Sequence, residues 1–500
     1  MSFVADVLTD PSIPASARQQ AINRIYSDPG VPQQSSTSSF WLKTPRAFEP
    51  NGPGLPRTVD VVIIGSGITG ASIAHSLLDN AAPPSILMLE ARSICSGATG
   101  RNGGHILETA DEYSELADLF GVEDAKKIMR FRLAHLGETL AVAEELGIAE
   151  ESQARKVQFL SVYFGEEPWQ AALERLRRFK EDMPEEAAEW TSFEGDAIPK
   201  HFHLDRARGI VAGPAGALWP YKFVTGVLAH LREKYPDKFR IEERTPVTKI
   251  HELGYPALPY KVETDRGVIY ARHVIHCTNA HVGHLVPGLL GRIFPVRGQM
   301  SAQTPGNLFP NQGNDHSWIF NYDRGFDYLT QLPEGQMMLG GGFAQGEHGG
   351  LADLGVPTDS DLSMYIDIHL SGALPAIFGR KDWGFVSGDP IQAMWTGSMA
   401  FTSDGFPWVG QLPESATGRS IGKERGCEWI SAAFGGEGMV QAWLCGKALA
   451  TMLLAQDGKL DQGTDSDLEW FPKQLLSSKE RLDATRLPQE VSDTPHRASL

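Results

Sequence analysis

The stretch VDVVIIGSGITGASIAHSLLDN restricts the fold more than any other part of the chain. Its apolar start, Val59 to Ile64, predicts a buried strand, and a helix is predicted to begin near Ile68. The glycine-rich turn GSGITG between them lets the backbone approach a pyrophosphate, which the helix N-terminus then binds. A second strand, Ile86 to Glu90, ends in a carboxylate suited to ribose hydroxyls. The sequence therefore predicts a Rossmann-like βαβ unit that binds a dinucleotide.

The segment CSGATGRNGGH, residues 95–105, offers four glycines and little side chain for a core. It resembles the loop after the second strand in the D-amino-acid-oxidase-like family of FAD-dependent oxidoreductases, which includes glycine, sarcosine and gamma-glutamylputrescine oxidases. The resemblance implies that the dinucleotide is FAD and that this loop reaches its isoalloxazine ring. The residues expected to bind FAD in this part of the chain are Gly65, Ser66, Gly67, Ile68, Thr69, Gly70, Glu90, Ala91, Arg92, Ser96, Thr99, Gly100, Arg101, Asn102, Gly103 and Gly104.

The resemblance extends from about Thr58 to Leu454. It implies that the backbone at Val247 contacts the adenine, and that a glycine-rich loop before a final helix, Met439 to Leu454, follows the pyrimidine edge of the flavin. A helix N-terminus at Met439 would stabilise negative charge on the reduced ring. The further residues implicated are Thr278, Asn279, Ala280, Gly435, Gly436, Gly438 and Met439.

The domain organisation follows from the order of predicted elements. We expect an α/β protein with a Rossmann-like FAD-binding domain and an α+β substrate domain that contains a mixed or antiparallel sheet. The N-terminal arm is predicted to hold one helix, Ser12 to Tyr26, and then an extended stretch. The expected boundaries are 1–57 for this arm, 58–110, 205–291 and 395–457 for the FAD domain, 111–204 and 292–394 for the substrate domain, and 458–500 for a polar tail.

Charge and cysteine usage exclude several classes of protein. The formal net charge of −17 disfavours nucleic acid as a partner. The four cysteines form no CxxC pair, which argues against a disulfide framework or a zinc site, and no metal is expected at His276, His281 and His284. No signal peptide or membrane span is predicted, so a cytoplasmic location is expected. The C-terminal tripeptide, residues 498–500, resembles a peroxisomal signal only faintly because its middle residue is not basic.

Two departures from the family bear on the substrate and the flavin. Where related amino-acid oxidases carry an arginine that pairs with the substrate carboxylate, this chain has Gly397 to Ala400. Arg292, Arg297 or Arg324 remains available to supply that clamp from another direction. Neither family linkage to covalent FAD carries over, since Gly397 and Arg101 stand at the linkage positions. Non-covalent FAD is therefore expected, although Cys95 and His105 leave another linkage open.

The resemblance implies oxidation of a C–N bond in a small amine or modified amino acid to an imine, with O2 reoxidising the flavin to give H2O2. Such chemistry depends more on the orientation of the substrate against the flavin, and on a dry pocket, than on a strong base in the protein. Candidate catalytic residues are Arg297, Glu437, Tyr322 and His105. Aromatic residues that form either a core face or an amine-binding wall are Trp318, Phe320, Tyr322, Phe326 and Tyr328. The alternatives are a flavin monooxygenase, or a non-catalytic FAD-binding redox scaffold.

Overall fold

The computed structural model describes residues 2–49, 52, 54–253, 257–420, 426–460 and 468–491. The strands in this part of the chain are β1 Thr58–Ile64, β2 Ile86–Leu89, β3 His105–Ile106, β4 Arg155–Tyr163, β5 Thr191–Glu194, β6 Gly209–Ala217, β7 Phe239–Glu242, β8 Val247–Glu252, β9 Tyr260–Thr264, β10 Gly267–His276, β11 Ile293–Gln303, β12 His316–Asn321, β13 Phe326–Gln331, β14 Met337–Gly341, β15 Ile391–Thr402, β16 Trp408–Gln411 and β17 Glu428–Ala432.

The helices lie between these strands and at both ends of the described chain. They are α1 Ser2–Thr9, α2 Ala15–Tyr26, α3 Ile68–Leu78, α4 Ala110–Phe120, α5 Val122–Glu145, α6 Ala149–Ser152, α7 Glu166–Asp182, α8 Pro220–Lys234, α9 Val282–Leu285, α10 Met364–Trp383, α11 Glu414–Thr417, α12 Ala442–Gln456 and α13 Lys479–Ala484. None of the described helices is long and apolar enough to cross a membrane.

The first sheet confirms the predicted βαβ unit. Strands β17, β10, β1, β2 and β7 run parallel in that order, with β16 antiparallel at one edge and the β8–β9 pair branching from β10. Val61, Val62 and Ile63 on β1 are at most 1% exposed, as expected for a strand covered on both faces. The carboxyl ends of parallel strands share one edge, so the turns after β1, β2 and β10 converge there.

The second sheet has the order β15–β11–β14–β13–β12–β4–β6–β3, with β5 on β6. Its pairs are antiparallel except β12 and β4, which are parallel. This mixed sheet confirms the fold class expected for the chain. Strands β6 and β15 belong to this sheet, so the expected FAD-domain segments 205–291 and 395–457 each begin with a strand of the other sheet.

Strand β6 was not predicted, because its sequence GIVAGPAGA carries residues disfavoured in strands. Its glycines are explained by the large side chains packed over them. A Cβ at Gly209 would lie 2.3 Å from the Trp169 ring, and one at Gly213 would lie 2.7 Å from Phe159. The glycines therefore make room for aromatic rings that a typical strand residue would exclude.

Both ends of the chain differ in part from expectation. The arm has a helix before the predicted one, α1, which packs with α2 against Phe294 and Val296 of β11. In the tail, Arg481 forms a salt bridge of 2.6 Å with Asp404. Residues 461–467 and 492–500, including the C-terminal tripeptide, lie outside the described residues. The final long helix begins at Ala442 rather than Met439, after a short 3-10 turn at Gly438–Val440.

Candidate functional site

A cavity of about 830 Å³ lies where the carboxyl ends of β1, β2 and β10 face the second sheet. This volume is within the range of ligand pockets in proteins. The predicted site residues that line it are Gly65, Ser66, Gly67, Ile68, Thr69, Glu90, Ala91, Arg92, Thr99, Arg101, Asn102, Gly103, His105, Val247, Thr278, Asn279, Ala280, Gly435, Gly436, Glu437, Gly438 and Met439. The structure thus brings most of the predicted residues to one place.

Four other predicted residues shape the loops without lining the cavity. A Cβ at Gly70 would lie 2.3 Å from the Gly65 carbonyl oxygen, and one at Gly104 would lie 2.2 Å from that of Leu218. Gly100 is packed equally closely on Cys95. Ser96 contributes its backbone carbonyl, which accepts hydrogen bonds from two arginines. Their role in this structure is therefore close backbone packing.

The turn after β1 is held from both sides. Gly65 has a φ of 110°, and its N–H donates to the Leu89 carbonyl at 2.8 Å. Gly67 precedes α3 and has no side chain to cap it, so Thr99 Oγ1 accepts from the Ile68 N–H at 3.0 Å instead. The loop after β2 therefore caps the helix that follows β1, which fixes both walls of the predicted pyrophosphate site.

Glu90 closes the end of β2 beside this turn. Its Oε2 accepts hydrogen bonds from the Ser66 hydroxyl at 2.6 Å and the Ser66 N–H at 3.2 Å. Its Oε1 accepts from the Arg92 N–H at 2.9 Å. The carboxylate is thus oriented at the cavity wall in the position expected for a ribose ligand.

A buried ion cluster supports the loop 95–105. Asp359 pairs with Arg92 at 2.8 Å and with Arg101 at 3.0 Å. Arg101 also donates to the Thr396 carbonyl at 2.8 Å, and burial lowers its pKa to about 10. Gly397 lies so close that a Cβ there would be 3.0 Å from the Arg101 Cβ. A side chain at Gly397 would therefore press against Arg101.

The glycine-rich loop before α12 presents backbone to the cavity. Gly435 has a φ of 61°, and a Cβ built on it would meet no atom within 4 Å. Its N–H donates to the Ala400 carbonyl at 2.9 Å. This open glycine surface, together with the turn at Gly65, fits a flat cofactor that contacts backbone along its length. The residues present therefore fit FAD.

The N-terminal strap, which we define as residues 28–41, forms another wall of the cavity. Its residues 29–33 line the cavity directly. The strap is fastened to the walls on either side by hydrogen bonds. They join His281 Nδ1 to the Gly30 carbonyl (2.9 Å), Gln34 Nε2 to the Ala91 carbonyl (2.9 Å), the Thr37 N–H to the Asp359 carbonyl (2.8 Å), Ser39 Oγ to the Gly100 carbonyl (2.7 Å) and Trp41 Nε1 to the Asn102 carbonyl (2.5 Å). The sequence predicts an extended arm here, but no residue of the arm was expected to line the FAD site.

The predicted aromatic group divides between core and cavity. Trp318 and Phe320 are fully buried in the core against α10. Phe326 and Tyr328 line the cavity, and a Cβ at Gly103 would lie 2.7 Å from the Tyr328 ring. Burial raises the pKa of Tyr328 to about 12, so its phenol stays protonated at neutral pH. Of this group, only residues of β13 therefore line the cavity.

An acidic cluster, which we define as Glu108, Glu112 and Glu437 around Arg132, lines the same cavity. Arg132 lies 2.6 Å from Glu108, 2.5 Å from Glu437 and 3.6 Å from Glu112. Burial raises the pKa of Glu108 to about 7, and the charge of Glu437 together with burial raises that of Glu112 to about 7. Three carboxylates thus share one guanidinium.

Of the predicted catalytic residues, Glu437 and His105 line the cavity and the other two do not. Arg297 is held by Asp353 at 2.6 Å, and the Tyr322 hydroxyl donates to Asp327 at 2.9 Å. We therefore retain neither as a catalytic candidate. Arg292 and Arg324 do not line the cavity either, so the alternative carboxylate clamps are not in place.

The histidines considered for metal binding have ordinary partners. His276 lies 2.9 Å from Glu428, and His284 lies 3.0 Å from Asp28. Among the described residues, no group of three or more potential ligands is arranged to hold a metal ion.

His105 is placed beside Ser317, whose hydroxyl oxygen lies 2.7 Å from His105 Nε2. Burial lowers the pKa of His105 to about 3, so the ring is neutral throughout the physiological range. We expect His105→Gln to leave unchanged any apparent pKa between 5 and 9 in the rate of anaerobic flavin reduction, measured by stopped-flow absorbance. Loss of such a pKa in the variant would contradict this neutral state.

Apart from Glu437, the residues of the acidic cluster were not predicted from the sequence, and neither was the strap. Arg132 lies in α5 close to Ile128, Met129 and Phe131, and an arginine within such an apolar group was the available signal. Glu108 follows the loop that was identified, but only the fold brings it to Arg132. The strap carries no motif, so no local pattern could place it.

Comparison with known proteins agrees with this geometry. The family model described as FAD dependent oxidoreductase (DAO) matches residues 60–452. The gamma-glutamylputrescine oxidoreductase of Escherichia coli (strain K12) is 22% identical over 436 residues, which cover 85% of this chain and 91% of that protein.

Solved structures share the fold. Glycine oxidase from Geobacillus kaustophilus superposes with a TM-score of 0.58 at 16% identity, covering 81% of this chain and 96% of that one. L-proline dehydrogenase from P. horikoshii gives a TM-score of 0.59 at 21% identity, covering 82% and 96%. The family match spans more than half of the chain, including the three glycine-rich segments that line the cavity. The chain therefore belongs to the DAO family of FAD-dependent oxidoreductases.

Proposed function

We propose that this enzyme oxidises a C–N bond of an amine, or of an amino acid with a modified carboxyl or side chain, to an imine, and that O2 then accepts the electrons to give H2O2. One observation carries the proposal. The cavity that the FAD-binding loops line also contains an aromatic wall and an acidic cluster, and each arginine that lines it among the described residues is already paired.

The absence of a carboxylate clamp favours an amine over a simple amino acid. Arg92 and Arg101 are both paired with Asp359, and Arg132 is surrounded by its three glutamates. A substrate carboxylate needs an available guanidinium for strong binding. Among the described residues that line the cavity, none offers one. A substrate ammonium group, in contrast, can pair with Glu437, which lines the cavity and whose side chain is 37% exposed.

The proposed roles of the residues follow from their positions. Bound FAD supplies the two-electron acceptor for the reaction. Glu90 is proposed to bind the ribose, the Val247 backbone to contact the adenine, and the Gly435 loop to follow the flavin edge. The Tyr328 ring is proposed to hold the substrate in the dry pocket, where orientation lowers the barrier. A linkage through Cys95 is disfavoured because Cys95 does not line the cavity, whereas His105 does.

The experiment that tests the function is anaerobic visible absorption of the purified holoenzyme. Secondary amines, diamines, gamma-glutamylputrescine, N-methyl amino acids and free amino acids are mixed with it in turn. Bleaching of the flavin band by an amine, followed by H2O2 release on admitting air, is the expected result. If dithionite alone bleaches the flavin, the proposal fails. NAD(P)H consumption would then indicate a monooxygenase, and a spectrum that responds only to a protein partner would indicate a scaffold.

The strap is proposed to retain FAD. We expect Ser39→Ala to accelerate FAD release about fivefold, because the Gly100 carbonyl loses its hydrogen bond, worth roughly 1 kcal/mol. The release rate is measured by the fluorescence of free flavin after dilution. Ser38→Ala is the matched control, since Ser38 is exposed. Equal release rates in the two variants would count against this role.

A further inference from the structure

We propose that the acidic cluster is a subsite for a second cationic group of the substrate, so that the preferred substrates are amines carrying two amino groups. This inference rests on the proposed function and specifies its substrate class. One amino group is oxidised beside the flavin, and the other remains an ammonium ion between Glu108, Glu112 and Glu437.

The first support is the uncompensated charge of the cluster. Arg132 is contacted by three carboxylates within 3.6 Å, which leaves up to two negative charges without a counter-ion when all three are ionised. Burying unpaired charge is costly, and although the Glu112 and Glu437 side chains are 33% and 37% exposed, that of Glu108 is only 1% exposed. The raised pKa values of Glu108 and Glu112 agree with a missing cation. An ammonium ion would compensate the excess.

The second support is an unsatisfied oxygen. The side chain of Glu108 is only 1% exposed, and its Oε1 accepts from Arg132 Nε at 2.6 Å. Its Oε2 is buried and has no hydrogen-bond partner among the described residues, while Glu108 itself lines the cavity. Buried carboxylate oxygens are nearly always hydrogen-bonded in folded proteins. A donor that enters the cavity would therefore satisfy this oxygen, and an ammonium carries three N–H groups.

The cluster suits the ammonium that does not react. Amine oxidation requires a neutral nitrogen, whose lone pair assists the departure of the α-hydrogen, whereas neighbouring carboxylates favour the protonated form. The reacting nitrogen therefore belongs at the aromatic wall, away from the strongest negative field. Tyr328 and Met300 line the cavity beside Gly103 and offer apolar surface to a methylene chain. A diamine thus offers a suitable group to both sets of cavity-lining residues.

The experiment compares α,ω-diamines of three to six carbons with n-alkylamines of equal length, using anaerobic stopped-flow reduction of the holoenzyme. The best diamine is expected to exceed its monoamine in kcat/KM by about 100-fold, mainly through a lower Kd, because the monoamine leaves the subsite charges unpaired. Equal values for both series would overturn the inference and leave amine oxidation intact. Failure of every amine to reduce the flavin would overturn both.

Isosteric variants test the assignment of residues. Glu108→Gln and Glu112→Gln are expected to raise the Kd for the diamine about tenfold or more, since each removes a charged hydrogen-bond partner. The ratio of diamine to monoamine kcat/KM is expected to fall by a similar factor in each variant. Glu167→Gln, an exposed carboxylate on α7, is the matched control. Thermal stabilisation of each protein by diamine, compared with monoamine, gives a readout independent of turnover. Diamine constants unchanged in both cluster variants would place the second ammonium elsewhere.

Discussion

Gly65→Ala is expected to yield protein that purifies without FAD. Gly65 has a φ of 110°, and an added Cβ would lie 2.6 Å from the Cys277 carbonyl oxygen. Backbone strain and this contact together cost about 3 kcal/mol, which corresponds to roughly 100-fold weaker FAD binding when the turn shifts to relieve them. The ratio of flavin to protein absorbance and the Kd of FAD for reconstituted apoprotein measure the effect.

The control for this substitution is Gly137→Ala. Gly137 lies on an exposed face of α5, where an added Cβ meets no atom within 4 Å. Alanine there is expected to stabilise the helix by about 0.5–1 kcal/mol and to leave the FAD content unchanged. A Gly65→Ala protein that retained a full complement of FAD would show that the turn does not determine cofactor binding.

Arg132→Met is expected to lower the free energy of unfolding by about 3–5 kcal/mol at pH 8, because breaking a buried ion cluster leaves its carboxylates unpaired. Arg132 is only 4% exposed and contacts three glutamates. Urea titration of the apoprotein, followed by circular dichroism, gives the change in midpoint and slope.

The decrease in unfolding free energy caused by Arg132→Met should become smaller as the pH falls from 8 towards 6. The pKa values of Glu108 and Glu112 are raised to about 7, above their unfolded values, so the folded state takes up protons first in this interval and its unpaired charge disappears. Adding Glu108→Gln to Arg132→Met should restore part of the stability at pH 8.

Arg130→Met is the control on the same helix, since the Arg130 side chain is 58% exposed and its pair with Glu186 contributes about 1 kcal/mol or less. Equal losses for the two arginine variants would contradict the burial argument.

The sequence predicted those parts of the site that depend on local backbone geometry. The turn after β1 and the loop 95–105 need glycines at fixed spacing, so their identity and approximate position followed from residue types. Contacts between distant segments were not predictable in this way. Arg132 and Glu437 are separated by more than 300 residues, and neither carries a motif that names its partner.

Strand β6 shows a second reason for the missed elements. Gly209 and Gly213 weaken the alternation of side chains by which a strand is recognised in a sequence. Glycine is needed at these positions because the Trp169 and Phe159 rings pack directly over them. Arg297 differs from expectation for another reason. It was predicted as a catalytic residue, but its side chain pairs with Asp353 at 2.6 Å and does not line the cavity. A residue type alone does not determine which partner its side chain binds.

The strap also sets the order of events during biosynthesis. Its residues leave the ribosome among the first, and its partners Ala91, Gly100 and Asn102 follow soon afterwards. Its partners Asp359 and Thr396 are made only after more than 350 of the 500 residues exist. The strap can therefore be completely fastened only late in synthesis, so this wall of the cofactor cleft is finished long after its own residues are made.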